Sequence, residues 1–395
     1  MKCIALISDL EATPRAVAFF REALAEAGCS VKSIEIKRVK EGEGSPGLVE
    51  ALALDSAEKA LQLLDRGNLD AIAAIGGAVV TGVASRVMAA LPIGLPKLIV
   101  SSMAGTPSYS GEYFAAKDIT IMNSLVGLMG MNPILENVLE RAARSLAAAA
   151  AVERPPGVPG ALGAKRRVAV TGFQFTSDAT RYAISLLEEA GLEVHPFHAQ
   201  GVGEISMEAL IGEGFFDGVL DLVPAGVSER LLGGNRRGEY TRLEAAGDVG
   251  VAQVIAPGGF DMISCGPLTR GDGGDRLWRE RGLMKRKLYI PDNLRVEART
   301  NAVELREVAE VVAGKLNKAK GPTAVIIPRK GWSSLSVEGG PLEDFEADRA
   351  FSERLLERLC EEVSYDLLPA PINSPEFIAK AVKTLLTLMG EASRV

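Results

Sequence analysis

Glycine and hydroxyl residues follow two apolar segments in the first half of the chain, where they could bind an anionic ligand. The segments Ala71–Ile75 and Leu98–Ser101 predict two strands of a parallel sheet, with a helix of small residues between them. Because such strands end at the same edge of an open sheet, we expect the residues after them to form one crevice for a nucleotide or another anion. The candidate binding residues are Gly76, Gly77, Thr81, Ser101, Ser102 and Gly105.

The loop after Ile75 does not match the known phosphate-binding motifs. Gly77 and Gly82 have the glycine spacing of a P-loop. Val83 and Ala84, however, stand where that motif needs a lysine for phosphate and a hydroxyl residue for magnesium. The G-x-G-x-x-G fingerprint is also absent, which leaves a helix N-terminus with free backbone amides as a general anion site. A tight strand-to-helix turn that needs glycine only for packing is the alternative.

Loops of the second half also follow predicted strands and carry residues suited to acid–base chemistry or anion binding. His198 and Asp261 are candidate acids or bases. Arg329 and Lys330 offer positive charge for a phosphate or carboxylate. Asp221 could bind magnesium or act as a base, or could simply cap the end of its strand. The chain's 2 histidines, His195 and His198, have a spacing that can bind metal, but Pro196 lies between them and no cysteine or carboxylate cluster is near, so no metal site is predicted on them. A regular strand projects them to opposite faces, so at most one faces the crevice.

Size, charge and composition restrict the class of protein. With 395 residues the chain exceeds the size at which a single core stops growing, so two domains are expected. A net charge of -7 argues against a nucleic-acid partner. The absence of an apolar run of about 18 residues argues against a membrane span. The 4 cysteines are scattered without a CxxC pair, which favours a reducing cytoplasm and disfavours a zinc site.

Strands and helices alternate along both halves of the chain. Apolar runs such as Cys3–Ile7, separated by amphipathic helices, predict parallel sheets of the α/β class. Residues 153–165 read ERPPGVPGALGAK and are the clearest linker. They divide the chain into domains 1–152 and 166–395. We therefore predict two Rossmann-like subdomains with mainly parallel sheets and a cleft between them.

The two predicted domains share a sequence pattern at their start. Cys3–Gly28 and Val168–Gly191 each run from an apolar strand through a helix to a Glu-Ala-Gly stop. The pattern has two explanations of equal weight. The chain could consist of two similar halves, or the pattern could reflect only the general likeness of all strand–helix–strand units.

Several longer segments resemble a known protein family. The segments that match its motifs in order and spacing are MAALPIGLPKLIVSSMAG, KDITIMNSLVGLMGMN, RLEAAGDVGVAQVIAPGGFDMISCG, RTNAVEL, PRKGWSSLSVEGGPLEDFEADRAF and PINSPEF. The family is the ATP-binding domain family named for the amino-terminal, inhibitory half of the tomato mosaic virus resistance protein, and it has many uncharacterised bacterial members. The resemblance covers nearly the whole chain. It implies two Rossmann-like subdomains, a nucleotide site and a dimer.

The resemblance also assigns functional positions. The family's glycine-rich loop and serine-rich block fall on the candidate residues of the first half. In the second half the matching positions are His198, Gly201, Gly203, Gly258, Asp261, Arg299, Lys330 and Gly331. The chain departs from the family pattern in residues 8–13, which lack a lysine, and after Ile75, where several glycines are replaced.

The residues and the resemblance together predict a nucleotide-binding protein. ATP and magnesium are the expected cofactors, with the ligand in the inter-domain cleft. The alternatives are an enzyme that acts on a small acidic or phosphorylated substrate through His198, Asp261 and Lys330, and an interaction module with a degenerate nucleotide site. We expect a cytoplasmic homodimer that binds a small molecule or nucleotide and neither nucleic acid nor membrane.

Overall fold

The chain folds into two compact units, Met1–Gly157 and Val158–Val395, in a computed structural model. The structure describes residues 1–36, 47–106, 117–152 and 165–391. Of the predicted linker 153–165, only Lys165 lies within these described residues. In the same ranges, no helix is both long enough and apolar enough to cross a membrane.

Unit 1 is built on a parallel sheet with the strand order β2-β1-β3-β4-β5. The strands are β1 (Lys2–Ser8), β2 (Cys29–Glu35), β3 (Ala71–Gly76), β4 (Lys97–Ser101) and β5 (Ile119–Asn123). The apolar run of β1 is continuous because both faces are covered: Ile4 and Leu6 lie in one core, and Ala5 and Ile7 lie in the other. The strand order reverses between β1 and β3, the position at which open sheets of this kind bind ligands.

Helices cover both faces of this sheet. They are α1 (Pro14–Glu26), α2 (Leu48–Asp65), α3 (Ala78–Ala90) and α4 (Pro133–Ala151). The helices α1 and α4 pack on one face, and α2 and α3 pack on the other. Local sequence sets where α4 begins, because the Asn132 side chain accepts hydrogen bonds from the amides of Ile134 and Leu135, at 3.1 Å each, and Pro133 follows as the first helical residue.

The main sheet of unit 2 is also parallel, with the order β14-β13-β9-β8-β6-β7. The strands of this unit are β6 (Arg167–Gly172), β7 (Glu193–His198), β8 (Gly218–Asp221), β9 (Ala252–Ile255), β10 (Met262–Ser264), β11 (Leu288–Tyr289), β12 (Glu297–Arg299), β13 (Thr323–Pro328) and β14 (Val363–Leu368). Read from the other edge, the order is β7-β6-β8-β9-β13-β14. Its first five strands follow the same order as β2-β1-β3-β4-β5 of unit 1, and β14 is an additional edge strand. The reversal falls between β6 and β8, so the two units share both a strand order and a switch point.

A small antiparallel sheet in unit 2, with the order β10-β12-β11, departs from the predicted parallel arrangement. The sequence predicts strands at Lys287–Ile290 and Val296–Thr300, and β11 and β12 form within these segments. They pair with each other and with β10 instead of joining the main sheet, with Arg299 opposite Met262 and Ala298 opposite Leu288. These short strands place Arg299 beside the loop that follows β9.

Helices of unit 2 pack on both faces of its main sheet. They are α5 (Ser177–Glu189), α6 (Val202–Gly212), α7 (Ala225–Leu232), α8 (Ala245–Val249), α9 (Thr269–Asp272), α10 (Arg276–Arg281), α11 (Ala302–Leu316), α12 (Phe345–Arg358) and α13 (Pro375–Leu388). The helices α5 and α13 share one core, and α11 and α12 share another. Both units therefore have the predicted α/β architecture.

Candidate functional site

The predicted residues at the ends of β3 and β4 lie together at the carboxyl edge of the unit 1 sheet. Gly76 pairs with Ser101 in the register of the two strands. The Thr81 hydroxyl, in the first turn of α3, donates to the carbonyl of Gly77 at 2.7 Å and lies 2.7 Å from the Ser101 hydroxyl. Ser101 also accepts a hydrogen bond from the amide of Met103 at 3.0 Å. Because Thr81 and Ser101 are fully buried and bond to protein groups, they shape the turn and leave ligand contact to their neighbours.

Gly77, Ser102 and Gly105 are the members of this group that a ligand could reach. A Cβ atom added at Gly77 would meet one described atom within 4 Å, the Ser102 hydroxyl at 3.9 Å, and one at Gly105 would meet none. Gly76 differs, because a Cβ there would overlap the side chain of Val80. Ser102 is exposed, and no side chain caps α3, for which Gly77 is the N-cap residue. The amides of the first turn of α3 are therefore placed to bind an anion.

The structure does not bring His198, Asp261 and Lys330 into one catalytic group. His198 ends β7 at one edge of the sheet, whereas Lys330 follows β13, four strand positions away. At roughly 4.8 Å per strand, this separation is about 19 Å, too far for both side chains to touch one small substrate. Asp261 is buried, while the other two are exposed. His198 instead borders a separate cavity of about 560 Å³ at the ends of β6 and β7.

The glycines predicted to bind ligand in unit 2 allow close packing of the backbone. A Cβ atom at Gly203 would overlap the backbone at the end of β7, and one at Gly258 would overlap the carbonyl oxygen of Leu222. Gly201 and Gly331 have φ angles of 83° and 117°, which residues with a Cβ rarely adopt. The packing of the chain itself thus requires all four glycines.

Asp261 and Arg299 belong to a buried polar cluster at the end of β13. Nη1 of Arg299 donates to the carbonyl of Asp261 at 2.9 Å, and Nη2 forms an ion pair with the carboxylate of Asp348. The Asp261 carboxylate accepts a hydrogen bond from the Ser333 hydroxyl at 2.6 Å. Arg299 is 3% exposed, and its guanidinium holds protein groups together. A contact between Arg299 and a nucleotide stays a prediction.

A buried arginine that the sequence analysis does not single out, Arg242, fills the switch point of unit 2. Its Nη1 lies 2.6 Å from Oδ2 of Asp221 at the end of β8, and its Nε donates to Glu204 at 2.9 Å. Nη1 also donates to Glu208, one turn further along α6, at 2.9 Å. Asp221 in addition accepts from the Thr171 hydroxyl of β6 at 2.7 Å. Asp221 is therefore half of a buried ion pair and is not available as a metal ligand or base.

Burial disfavours each charge in the Arg242 network, and the charges offset one another. Burial raises the pKa of Glu204, against the opposing effect of Arg242. Burial alone would lower the pKa of Arg242, but Asp221, Glu204 and Glu208 together hold it well above its usual value. The Arg242 guanidinium thus fills the crevice at the ends of β6 and β8. Across the described ranges, no three His, Cys, Asp or Glu side chains group so as to hold a metal ion.

Two buried carboxyl groups are expected to lower the stability of the protein as the pH rises from about 4 to 7. Burial raises the pKa of Asp348 and that of Glu297 to about 7 each, although Arg299 and Arg236 oppose this. Both groups ionise near about pH 4 in an unfolded chain, so between about pH 4 and 7 the folded state binds more protons. Its free energy of unfolding therefore falls as the pH rises through this window. In Asp348→Asn, the decrease in the free energy of unfolding over this pH window should be smaller by at least about 1 kcal/mol.

Urea unfolding at several pH values between about 5 and 8 measures this effect. Asp178→Asn is the matched control, because the Asp178 side chain is 72% exposed. The same pH slope in wild type and in Asp348→Asn would show that Asp348 does not retain a proton in the folded state.

Comparison with protein families gives two matches that together cover most of the chain. The N-terminal domain of uncharacterised protein family UPF0261 matches residues 2–155, and the C-terminal domain of that family matches residues 165–389. The chain belongs to the UPF0261 family. The two matched UPF0261 domains correspond to the two units of the structure.

Relatives of this UPF0261 chain occur in bacteria and in a plant. A UPF0261 protein of Clostridium tetani is 34% identical over 86% of this chain and 81% of its own length. One of Mesorhizobium japonicum is 32% identical over 82% of this chain and 78% of its own length. The ToMV resistance protein Tm-1(GCR237) of Solanum lycopersicum is 29% identical over 88% of this chain and 46% of its own length. These matches confirm the resemblance to uncharacterised bacterial proteins and to the tomato mosaic virus resistance protein that the sequence motifs indicate.

Among solved structures, MurG of Acinetobacter baumannii aligns with 71% of this UPF0261 chain and 84% of its own chain, at 12% identity and a TM-score of 0.23. So distant a likeness carries no argument about function.

Proposed function

We propose that this UPF0261 protein binds a nucleotide, with ATP as the favoured ligand, at the carboxyl edge of the unit 1 sheet. The observation that carries the proposal is the open space at Gly77, at the N-terminus of α3 and beside the Ser102 hydroxyl. The position supports the proposal, because Gly77 follows β3, a strand beside the reversal of strand order, and ligands of such sheets bind at the carboxyl ends of the strands.

This site would hold phosphate mainly through the backbone. Amides of the first turn of α3 donate to phosphate oxygens, and the helix dipole favours the negative charge by about 0.3–1 kcal/mol. Ser102 adds a hydroxyl donor, and Gly105 leaves room for the ligand. Val83 stands where a P-loop has its lysine, so a magnesium ion that accompanies the nucleotide would balance about half of the phosphate charge.

Gly77→Val is expected to weaken binding of magnesium–ATP by at least about tenfold, or about 1.4 kcal/mol. The branched side chain would fill the space beside Ser102 and keep phosphate away from the amides of α3. The Gly77 backbone is extended, with φ of -88° and ψ of -152°, so valine fits there and the fold should persist. Isothermal titration calorimetry with magnesium–ATP, adenosine and pyrophosphate measures the change and shows which part of the ligand is recognised.

Gly212→Val is the matched control, because a Cβ at that position in unit 2 meets no described atom within 4 Å, and one at Gly77 meets only the Ser102 hydroxyl among the described atoms, at 3.9 Å. It should leave the titration unchanged. An absence of heat for wild type at millimolar ATP would overturn the proposal, as would equal binding by wild type and Gly77→Val.

A further inference from the structure

A cavity of about 350 Å³ lies in unit 2 at the carboxyl ends of β13 and β14. We call it the β13 cavity. Its walls include Trp332, Phe345 and Leu367, and its polar lining includes Arg329, Asp348 and Arg349. Its volume lies within the range of small-molecule sites, and the carboxyl ends of parallel strands are where α/β sheets bind ligands.

Asp348 contributes a buried carboxylate to this cavity. The residue is 6% exposed, and its Oδ1 pairs with Nη2 of Arg299. Its Oδ2 is buried and has no hydrogen-bond partner among the described residues. A buried carboxylate oxygen without a donor costs about 1–3 kcal/mol or more, so a donor supplied by a ligand would be bound favourably.

Arg329 contributes an unpaired cation at the same place. Its backbone amide is fixed by the carbonyl of Leu368 at 2.8 Å, which holds the residue at the end of β13. Its guanidinium is exposed and has no ion pair or hydrogen bond within the described part of the chain. Arg349 adds a second positive charge, offset by Glu353 at 3.7 Å. A free guanidinium beside a cavity favours a carboxylate or phosphate.

The first turns of α12 form one wall of the cavity. Phe345 begins this helix, and Asp348 and Arg349 follow within its first turns. The Asp344 side chain already caps the helix by accepting from the amide of Ala347 at 3.0 Å, so the preference for an anion depends on the arginines.

We propose that the β13 cavity binds a small organic anion that carries a hydroxyl or amino group. Its carboxylate or phosphate pairs with Arg329, its hydroxyl or amino hydrogen is donated to Oδ2 of Asp348 once that side chain turns toward the cavity, and its carbon body packs against Phe345 and Leu367. The His198 cavity is larger, but the cation that borders it, Arg181, is already paired with Asp178. The proposed site is distinct from the nucleotide site of unit 1 and does not depend on it.

Three probes test the recognition chemistry in calorimetric titrations of the full chain at about pH 8, above the pKa of about 7 to which burial raises Asp348, so that its carboxylate can accept a hydrogen bond. They are 2-hydroxy-4-methylpentanoate, its hydroxyl-free analogue 4-methylpentanoate, and glycerol 3-phosphate. We expect saturable binding of at least one hydroxylated probe below about 10 mM. The stronger of the two hydroxylated probes tells whether the anionic group is a carboxylate or a phosphate.

Two variants and one control assign the contacts. Arg329→Gln should weaken binding of the hydroxylated probe at least tenfold. Asp348→Asn should weaken binding of the hydroxylated probe several-fold and leave binding of 4-methylpentanoate unchanged. A merely structural change would affect both probes. Arg358→Gln, at a side chain 53% exposed on the same helix, should change nothing.

Two results would overturn the proposal. One is the absence of binding by wild type for all three probes, and the other is an equal loss in Arg329→Gln and Arg358→Gln. The test is independent of the nucleotide proposal, because Gly77→Val should leave these titrations unchanged and Arg329→Gln should leave the ATP titration unchanged.

Discussion

Replacing Arg242 by methionine is expected to destabilise the protein by about 3–5 kcal/mol. Methionine keeps much of the side-chain volume but removes the guanidinium that contacts Asp221, Glu204 and Glu208. Glu204 is 0% exposed and Asp221 is 1% exposed, so the variant must bury unpaired negative charge or protonate it. Urea unfolding followed by circular dichroism measures the loss.

Arg354→Met is the matched control for this prediction. Arg354 forms ion pairs with Glu310 and Glu357 at the surface, so its removal should cost at most about 1 kcal/mol. A lower pH should restore part of the stability of Arg242→Met, because protonation neutralises the carboxylates that the variant leaves unpaired. Equal losses in the two variants, or a loss that does not change with pH, would contradict the role assigned to Arg242.

Gly258→Ala is expected to cost about 3 kcal/mol, although it adds one methyl group. The new Cβ would overlap the carbonyl oxygen of Leu222 and lie 3.2 Å from side-chain carbons of Val223 and Ile372. The Leu222 carbonyl is held in place, because it accepts the hydrogen bond of the Gly258 amide at 3.1 Å. Thermal unfolding should show a melting temperature lower by about 6–12 °C.

Gly212→Ala is the matched control in the same unit. It lies at the end of α6, where a Cβ would meet no described atom within 4 Å, and alanine favours a helix by about 1 kcal/mol over glycine. Its melting temperature should stay the same or rise. If Gly258→Ala and Gly212→Ala had the same melting temperature, packing would not require a glycine at position 258. A ligand contact would then be the better explanation for Gly258.

The main sheets were predictable because their signals are local. Strands such as β1 and β3 are continuous apolar runs, which is the pattern of strands covered on both faces. The side chain of Asn132 and the following proline mark the start of α4 in the sequence itself. The pairing of β10, β11 and β12 into a separate antiparallel sheet was not predictable, although strands were expected at β11 and β12, because Met262 pairs with Arg299 far along the chain.

The candidate site was predictable in its position but only partly in its contacts. Parallel neighbours end at one edge, so the proximity of Gly76 and Ser101 follows from two apolar runs and one helix. Arg242 was missed because an arginine among other charged residues looks like a solvated surface group. A usable signal did exist in Glu204 and Glu208, which stand one turn apart on the otherwise mostly apolar helix α6 and need a buried partner.

The order in which the strands enter each sheet also bears on how the chain folds during synthesis. The unit 1 sheet uses residues 2–123, and the helices packed on it end at Ala151. In unit 2, by contrast, α5 packs against α13, so its core cannot close until Pro375–Leu388 has been made. At 5–20 residues per second, roughly 240 further residues take about 10–50 s. Unit 1 can therefore fold on the ribosome while β6 and α5 still expose the apolar face that α13 later covers. During this interval the nascent chain is open to aggregation or to binding by a chaperone.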